Sequence, residues 1–403
     1  MHLADCAIRE SIRDGPGVDG SPAGSPSRPG LGNTVGPGDA GPREFVDPAI
    51  AHGPAPHHRA SPPTVIATIA LGEATGDVVV SPDGSHLYVG QRNSIVVISR
   101  LNNIVGMIPT GGHPKDLATS ADGDRLYVTG DESTVWVVDT IHRRVRELSG
   151  ACCAREVITP DGALTYAAHN AGNGSCRTSW ISVYDTAGDV LATIPGENGY
   201  SGYSIADLAV SPNGTHVYAG LSRHSSYQQY GHGFVSVIDT AARAVIDAID
   251  LRACPDGMTV SPDGSTIYAT HVDTESVSAV DLATHRVTPI VLGDAPLALA
   301  LTPDSLKAYV AGSCSLSVLD TVTGEAERIT VGELPRSVQI SPDGKCAYVG
   351  NFGAGTVSVI DTVTGCVVST IDIGGHPQGL AISPDGCRLY ASDYWLGVVV
   401  AGL

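Results

Sequence analysis

Eight polar residues recur at one point of an internally repeating chain: Lys115, Asp116, Arg155, Glu156, Asp207, Asp256, Arg336 and Gln378. Carboxylates and guanidinium groups converging on one mouth can hold a small polar ligand. The same types can also hydrolyse one. An acid such as Glu156 or Asp207 would take a proton from water, and Arg155 or Arg336 would stabilise the oxyanion that develops. Mutual ion pairing across the mouth is the plainer alternative. A second set, Tyr200, Tyr203, Arg223, Tyr227 and Tyr230, lies where the repeat carries extra length. Tyrosine offers large contact area at low entropic cost, so these residues suggest a recognition surface, against neutral insertion.

Other chemistry-bearing residues lead less far. His113 and His376 occupy loops that enter non-adjacent repeats, and His224 and His232 lie eight residues apart in one loop, which is no zinc spacing. Cys152-Cys153 is a vicinal pair that would suit a redox subunit, a third reading. There is no Cys-x-x-Cys-His, Gly-x-Ser-x-Gly or Walker-type loop. No metal and no cofactor are expected.

The elements that must position these residues are short strands. A Ser-Pro-Asp-Gly-type turn recurs at Ser81, Ser120, Thr159, Ser211, Ser261, Thr302, Ser341 and Ser383. Seven residues after each stands a tyrosine: Tyr88, Tyr127, Tyr166, Tyr218, Tyr268, Tyr309, Tyr348 and Tyr390. Their spacings, 39, 39, 52, 50, 41, 39 and 42 residues, are those of propeller blades. Each repeat splits into four β-branched, period-two runs, A to D, separated by Asp, Gly and Pro. The last repeat stops after its third run, and Val65–Gly72 matches the missing fourth, Val367–Gly374. The expected fold is therefore all-β: a propeller of eight four-stranded antiparallel blades, closed by the N-terminal strand, or seven if a degenerate repeat is absorbed.

Antiparallel order places the A–B and C–D turns on one face and the B–C and D–A loops on the other. The turn acids, Asp83, Asp122, Asp161, Asp263, Asp304, Asp343 and Asp385, belong to the first face and read as turn formers. The extra length falls on the second, in His169–Trp180, Gly196–Ser204 and Leu221–Gly233.

The run of turn, Leu-Tyr-Val, Val-Ser-Val-Ile-Asp-Thr and Gly-x-x-Pro resembles the YVTN family of bacterial and archaeal β-propeller repeats, over about residues 64–403. That resemblance implies a scaffold shared by surface-layer proteins, lactonase-like enzymes and parts of redox enzymes, not a particular reaction. The leading expectation is a non-catalytic propeller that binds a protein or small polar ligand through the divergent face. The second is a lactonase-like hydrolase with its acid and arginine site at the channel mouth.

Composition narrows the remaining classes. With 23 basic against 42 acidic residues the formal charge is −19, which argues against nucleic-acid and acidic-membrane partners. No apolar run approaches the roughly 18 residues of a membrane span. Residues 1–62 hold ten Gly and ten Pro and few large apolar side chains, so a disordered tail is expected there, with one domain over 63–403. A true start near Val46 would explain the same stretch. The N-terminus has no basic start followed by an apolar run, and nine cysteines are no disulfide framework. A cytoplasmic monomer is expected, with export lacking a recognisable signal as the alternative.

Overall fold

The computed structural model describes residues 62–403 apart from 74, 131–133, 149–152, 172–177, 196–202, 224–231 and 394. The chain divides into Met1–Ala60 and Ser61–Leu403. The tail expected over 1–62 lies outside the described residues, save Pro62.

The period-two runs form strands, and the described strands make eight four-stranded antiparallel sheets, with no helix among the described residues. The blade count is eight. Blade seven shows the pattern: Pro335–Ile340 (A), Cys346–Asn351 (B), Thr356–Asp361 (C) and Val367–Asp372 (D). Its strand B is buried almost throughout, whereas strand D is mostly exposed. Strands A pack against one another from blade to blade around the axis. All eight repeat tyrosines are buried. They tie blades together, as Tyr166 Oη donates to Thr240 O in the next blade at 3.4 Å.

The A–B turns form a second tie. Ser81 Oγ donates to Asp83 Oδ1 at 2.6 Å, and hydrogen bonds of this kind hold the Asp83 carboxyl down at about 2. The turn glycine adopts positive φ and lies under the preceding blade's proline: a Cβ on Gly344 would meet Pro303 at 3.1 Å. Blade six uses Ser305 there, at φ 62°, and its hydroxyl accepts from Asp263 N at 3.1 Å.

The ring closes as the sequence pattern implies. Thr64–Ile69 is the outer strand of blade eight, paired from Thr64↔Gly402 to Ile69↔Val398. Ile69 is buried with Val398 and Val400 of its own blade and Val78 and Val96 of blade one. The inserted B–C connections differ from expectation. Rather than loops over His169–Trp180 and Leu221–Gly233, they are longer hairpins: Thr165–Ala171 with Thr178–Tyr184, and His216–Arg223 with His232–Asp239. The reason is local pairing, since Arg223↔His232 and Ser222↔Gly233 continue the ladder and Leu221 is buried.

Candidate functional site

Each strand A begins at the divergent face, and in seven blades its register slips by one residue near the start, in blade one between Thr75 and Val78. In the other six the slips fall before Asp116, Arg155, Asp207, Ala298, Ser337 and Gly379. Such a bulge re-aims the side chain that follows it. Asp77 and Gly257 hold the matching places in blades one and five, each just before the apolar residue that enters the seam between blades. All eight line one cavity of about 500 Å³. In order around the ring they read Asp77, Asp116, Arg155, Asp207, Gly257, Ala298, Ser337, Gly379. Blades one to four therefore supply ionisable groups, and blades five to eight supply small neutral ones. Asp256, Leu297, Arg336 and Gln378, the preceding positions in the second half, line the cavity too.

The ionic half is coupled. Arg155 Nη1 pairs with Asp116 Oδ2 of blade two, and Arg155 Nε lies 3.6 Å from Asp207 Oδ1 of blade four. Asp207 Oδ2 accepts from Met258 N at 2.7 Å, stapling blade four to blade five. Asp77 Oδ2 accepts from Leu117 N at 3.2 Å and does the same between blades one and two. Burial, the largest cause, lifts Asp207 to about 6 against the opposing charge of Arg155. Its side chain keeps 19% exposure, so burial here means enclosure by protein with some water left at the cavity. Burial lifts Asp77 to about 7, with like-charged Asp116 adding to it and hydrogen bonds from Val78 and Leu117 opposing it.

Arg336 is exposed and lies over the Phe352 ring, its guanidinium carbon 5.1 Å from the ring centroid. Phe352 stacks in turn on His376, with ring centroids 5.0 Å apart. Arg336 has no ion pair among the described residues. Asp256 Oδ2 accepts from Val272 N at 2.7 Å.

The structure thus brings Asp116, Arg155, Asp207, Asp256, Arg336 and Gln378 to one cavity. Other expected residues go elsewhere. Lys115 is exposed and is not part of the lining. Glu156 was expected at the mouth, but it occupies the seam position held by Val78, Leu117, Leu208, Met258, Leu299, Val338 and Leu380 in the other blades. The alternation of the strand turns it away from the face that Arg155 uses. Its Oε2 is sealed from solvent without a hydrogen bond. Burial holds its carboxyl well above the usual range, with Asp116 adding to this and Arg155 opposing it. Tyr203 was expected on a recognition loop, yet it is 6% exposed, with its ring 5.6 Å from Phe234 and Arg223 5.7 Å above it. Its apolar ring is worth more in the core than in water. Tyr200, Tyr227 and Tyr230 lie outside the described residues. No group of three or more His, Cys, Asp or Glu among the described residues could hold a metal ion.

Asp77 is the residue sequence reasoning missed. Blade one, like blades three to five, lacks the Gly-x-x-Pro entry that opens strand A in blades two, six, seven and eight. Counting two residues before Val79 and matching to Ala118 would have aligned Asp77 with Asp116.

A family model described as SMP-30/Gluconolactonase/LRE-like region matches residues 123–290, a stretch that holds Arg155, Asp207 and Asp256 but not Asp77 or Arg336. The uncharacterized protein YncE of Salmonella typhi is 31% identical over 206 residues, covering 48% of this chain and 51% of that one. YncE of Salmonella typhimurium matches over the same length at the same identity. The chain spans about half the length of the curated relatives it matches. Among solved structures, Kuenenia stuttgartiensis hydrazine synthase shares the fold, with TM-score 0.55 and 21% identity over 84% of this chain and 97% of that one. The fold is an eight-bladed β-propeller, and the gluconolactonase-type likeness covers part of it.

Proposed function

We propose that the protein is a binding propeller that takes a small polar ligand into the axial cavity. The observation that supports this reading is the ring of eight equivalent positions around one space of about 500 Å³, a volume in the range of small-molecule sites. Four of the eight positions carry ionisable groups, where a scaffold alone would be served by small or apolar ones. The test is a thermal-shift panel of small polar compounds against the native chain, Leu297→Trp and Val291→Trp. Leu297 lines the cavity, and its enlargement fills it, whereas Val291 is 77% exposed on an outer strand. Shifts lost in the first variant and kept in the second are expected. Shifts of equal size in all three proteins would place binding elsewhere.

A second reading, lactone hydrolysis, is favoured by the gluconolactonase-type match and by Asp77 being poised at about 7. An ionised Asp77 or Asp207 would take a proton from water as its oxygen adds to the lactone carbonyl, and Arg336 would hold the oxyanion. The ring C–O bond then breaks, the ring oxygen takes the proton back, and a hydroxy acid leaves. Lactone turnover that Arg336→Gln abolishes while binding persists would favour this second reading over the first.

A further inference from the structure

We propose that the ligand of the axial cavity is a small zwitterion, with its ammonium end among the acids of blades one, two and four and its carboxylate end on Arg336 of blade seven. The proposal rests on the axial-cavity reading above and adds the ligand's chemistry.

The charge around the cavity is divided. In the ionic half three carboxyls, Asp77, Asp116 and Asp207, face one guanidinium, that of Arg155. Arg155 is already engaged on both sides, so this half keeps an excess of negative charge when its acids are ionised. Asp77 feels Asp116 as a like charge and carries only hydrogen bonds from backbone N–H groups. A cation arriving there would remove that repulsion, and an anion would add to it. Asp256 of blade five extends the acidic side towards the rim.

Arg336 stands in the other half. In a ring of eight, blade seven is four places from blade three, so Arg336 faces Arg155 across the axis. Its guanidinium has no carboxylate partner among the described residues, and its central carbon lies 5.1 Å over the Phe352 ring, itself backed by His376. A guanidinium resting over a ring keeps N–H donors for a carboxylate. Between the two ends the wall is mixed, with Leu297, Ala298 and Leu380 beside Gln378, Thr259 and Thr270. That wall suits a short carbon chain. A ligand with one charge satisfies one end only, while a dication meets Arg336 and a dianion meets the acids.

The test is calorimetric titration of the full chain at neutral pH. The probes are the ω-amino acids from β-alanine to ε-aminocaproate, with valerate, n-amylamine and δ-valerolactone as the anionic, cationic and neutral counterparts. At least one ω-amino acid is expected to bind about tenfold or more tighter than any single-charge or neutral probe. Arg336→Gln should erase that advantage and leave n-amylamine unchanged. Asp77→Asn, which keeps an oxygen for Leu117 N, should weaken the ω-amino acid and leave valerate unchanged or tighter. Equal affinities across the probes, or tighter binding of valerate, n-amylamine or δ-valerolactone, would overturn the zwitterion while leaving the cavity reading intact if Leu297→Trp blocks that binding. No binding by any probe, with no thermal shift from the wider panel, would remove both.

Discussion

Arg155 Nε stands 3.6 Å from Asp207 Oδ1 across the seam between blades three and four, while Nη1 of the same side chain meets Asp116 in blade two. One guanidinium thus spans three consecutive blades at the axis. It does so beside the seam between blades two and three. Strands A of blades two and three touch far less than those of most other neighbouring blades, and the buried cluster between them is only Val135, Leu148, Ala167 and Tyr184.

Glu156, at the same seam, gives the first prediction. Replacing it with leucine restores the residue type of the other seven blades and removes an unpartnered buried oxygen. Glu156→Leu should raise stability by about 1–3 kcal/mol. Thermal melting at neutral pH checks it, and a lower midpoint would mean that Glu156 does more than occupy the seam.

Asp77 should carry a pH signature. Its carboxyl sits at about 7 in the folded chain against an ordinary 3.8, so the folded state holds the proton more tightly. Stability from this group is complete below its ordinary value and is lost as pH rises through that window. Asp77→Asn is expected to match the native chain at the acid end and to exceed it above pH 7, by at most about 4 kcal/mol. Urea unfolding across that range measures the difference, in which the opposing turn acids cancel. A difference that does not change with pH would refute it.

Ring closure by the first strand is tested with two shortened chains. One begun at Pro62 keeps the pairing of Thr64–Ile69 with blade eight, and one begun at Gly72 loses it and exposes the edge of Gly397–Gly402. The second chain should aggregate or melt well below the first. Equal melting would mean that blade eight stands on three strands.

The hairpin of blade four separates loop from ladder. Replacing residues 224–231 by Asn-Gly should leave the melting point nearly unchanged. Excising Leu221–Gly233 removes buried Leu221 and the Ser222 Oγ donation to Pro255 O, and should cost about 2–5 kcal/mol. Similar melting of the two variants would contradict the paired hairpin.

The fold was legible because each blade repeats the same local signals. Turn acids, buried tyrosines and β-branched runs all agree, and the match of Val65–Gly72 to Val367–Gly374 revealed the shared blade. The cavity was only half legible. Arg155, Asp207 and Arg336 stood out as charges after loop motifs, but which face a charge takes depends on where the bulge falls. A slip of one residue sends Arg155 to the cavity and Glu156 into the seam. Tyr203 misled for a related reason: a tyrosine in an inserted segment looks exposed until the neighbouring hairpin covers it.

The outer strand of blade eight also sets a clock. Its partner, Gly397–Gly402, is made after the other strands of the ring, so Thr64–Ile69 must wait unpaired while all the chain between them is synthesised. At about 5–20 residues per second that wait is on the order of tens of seconds. Throughout it, a newly made chain presents the apolar side chains of Val65, Ile66 and Ile69 with no strand to receive them. The final seal of the ring therefore waits for the making of Gly397–Gly402, and chaperone capture of the nascent chain would act on that first strand.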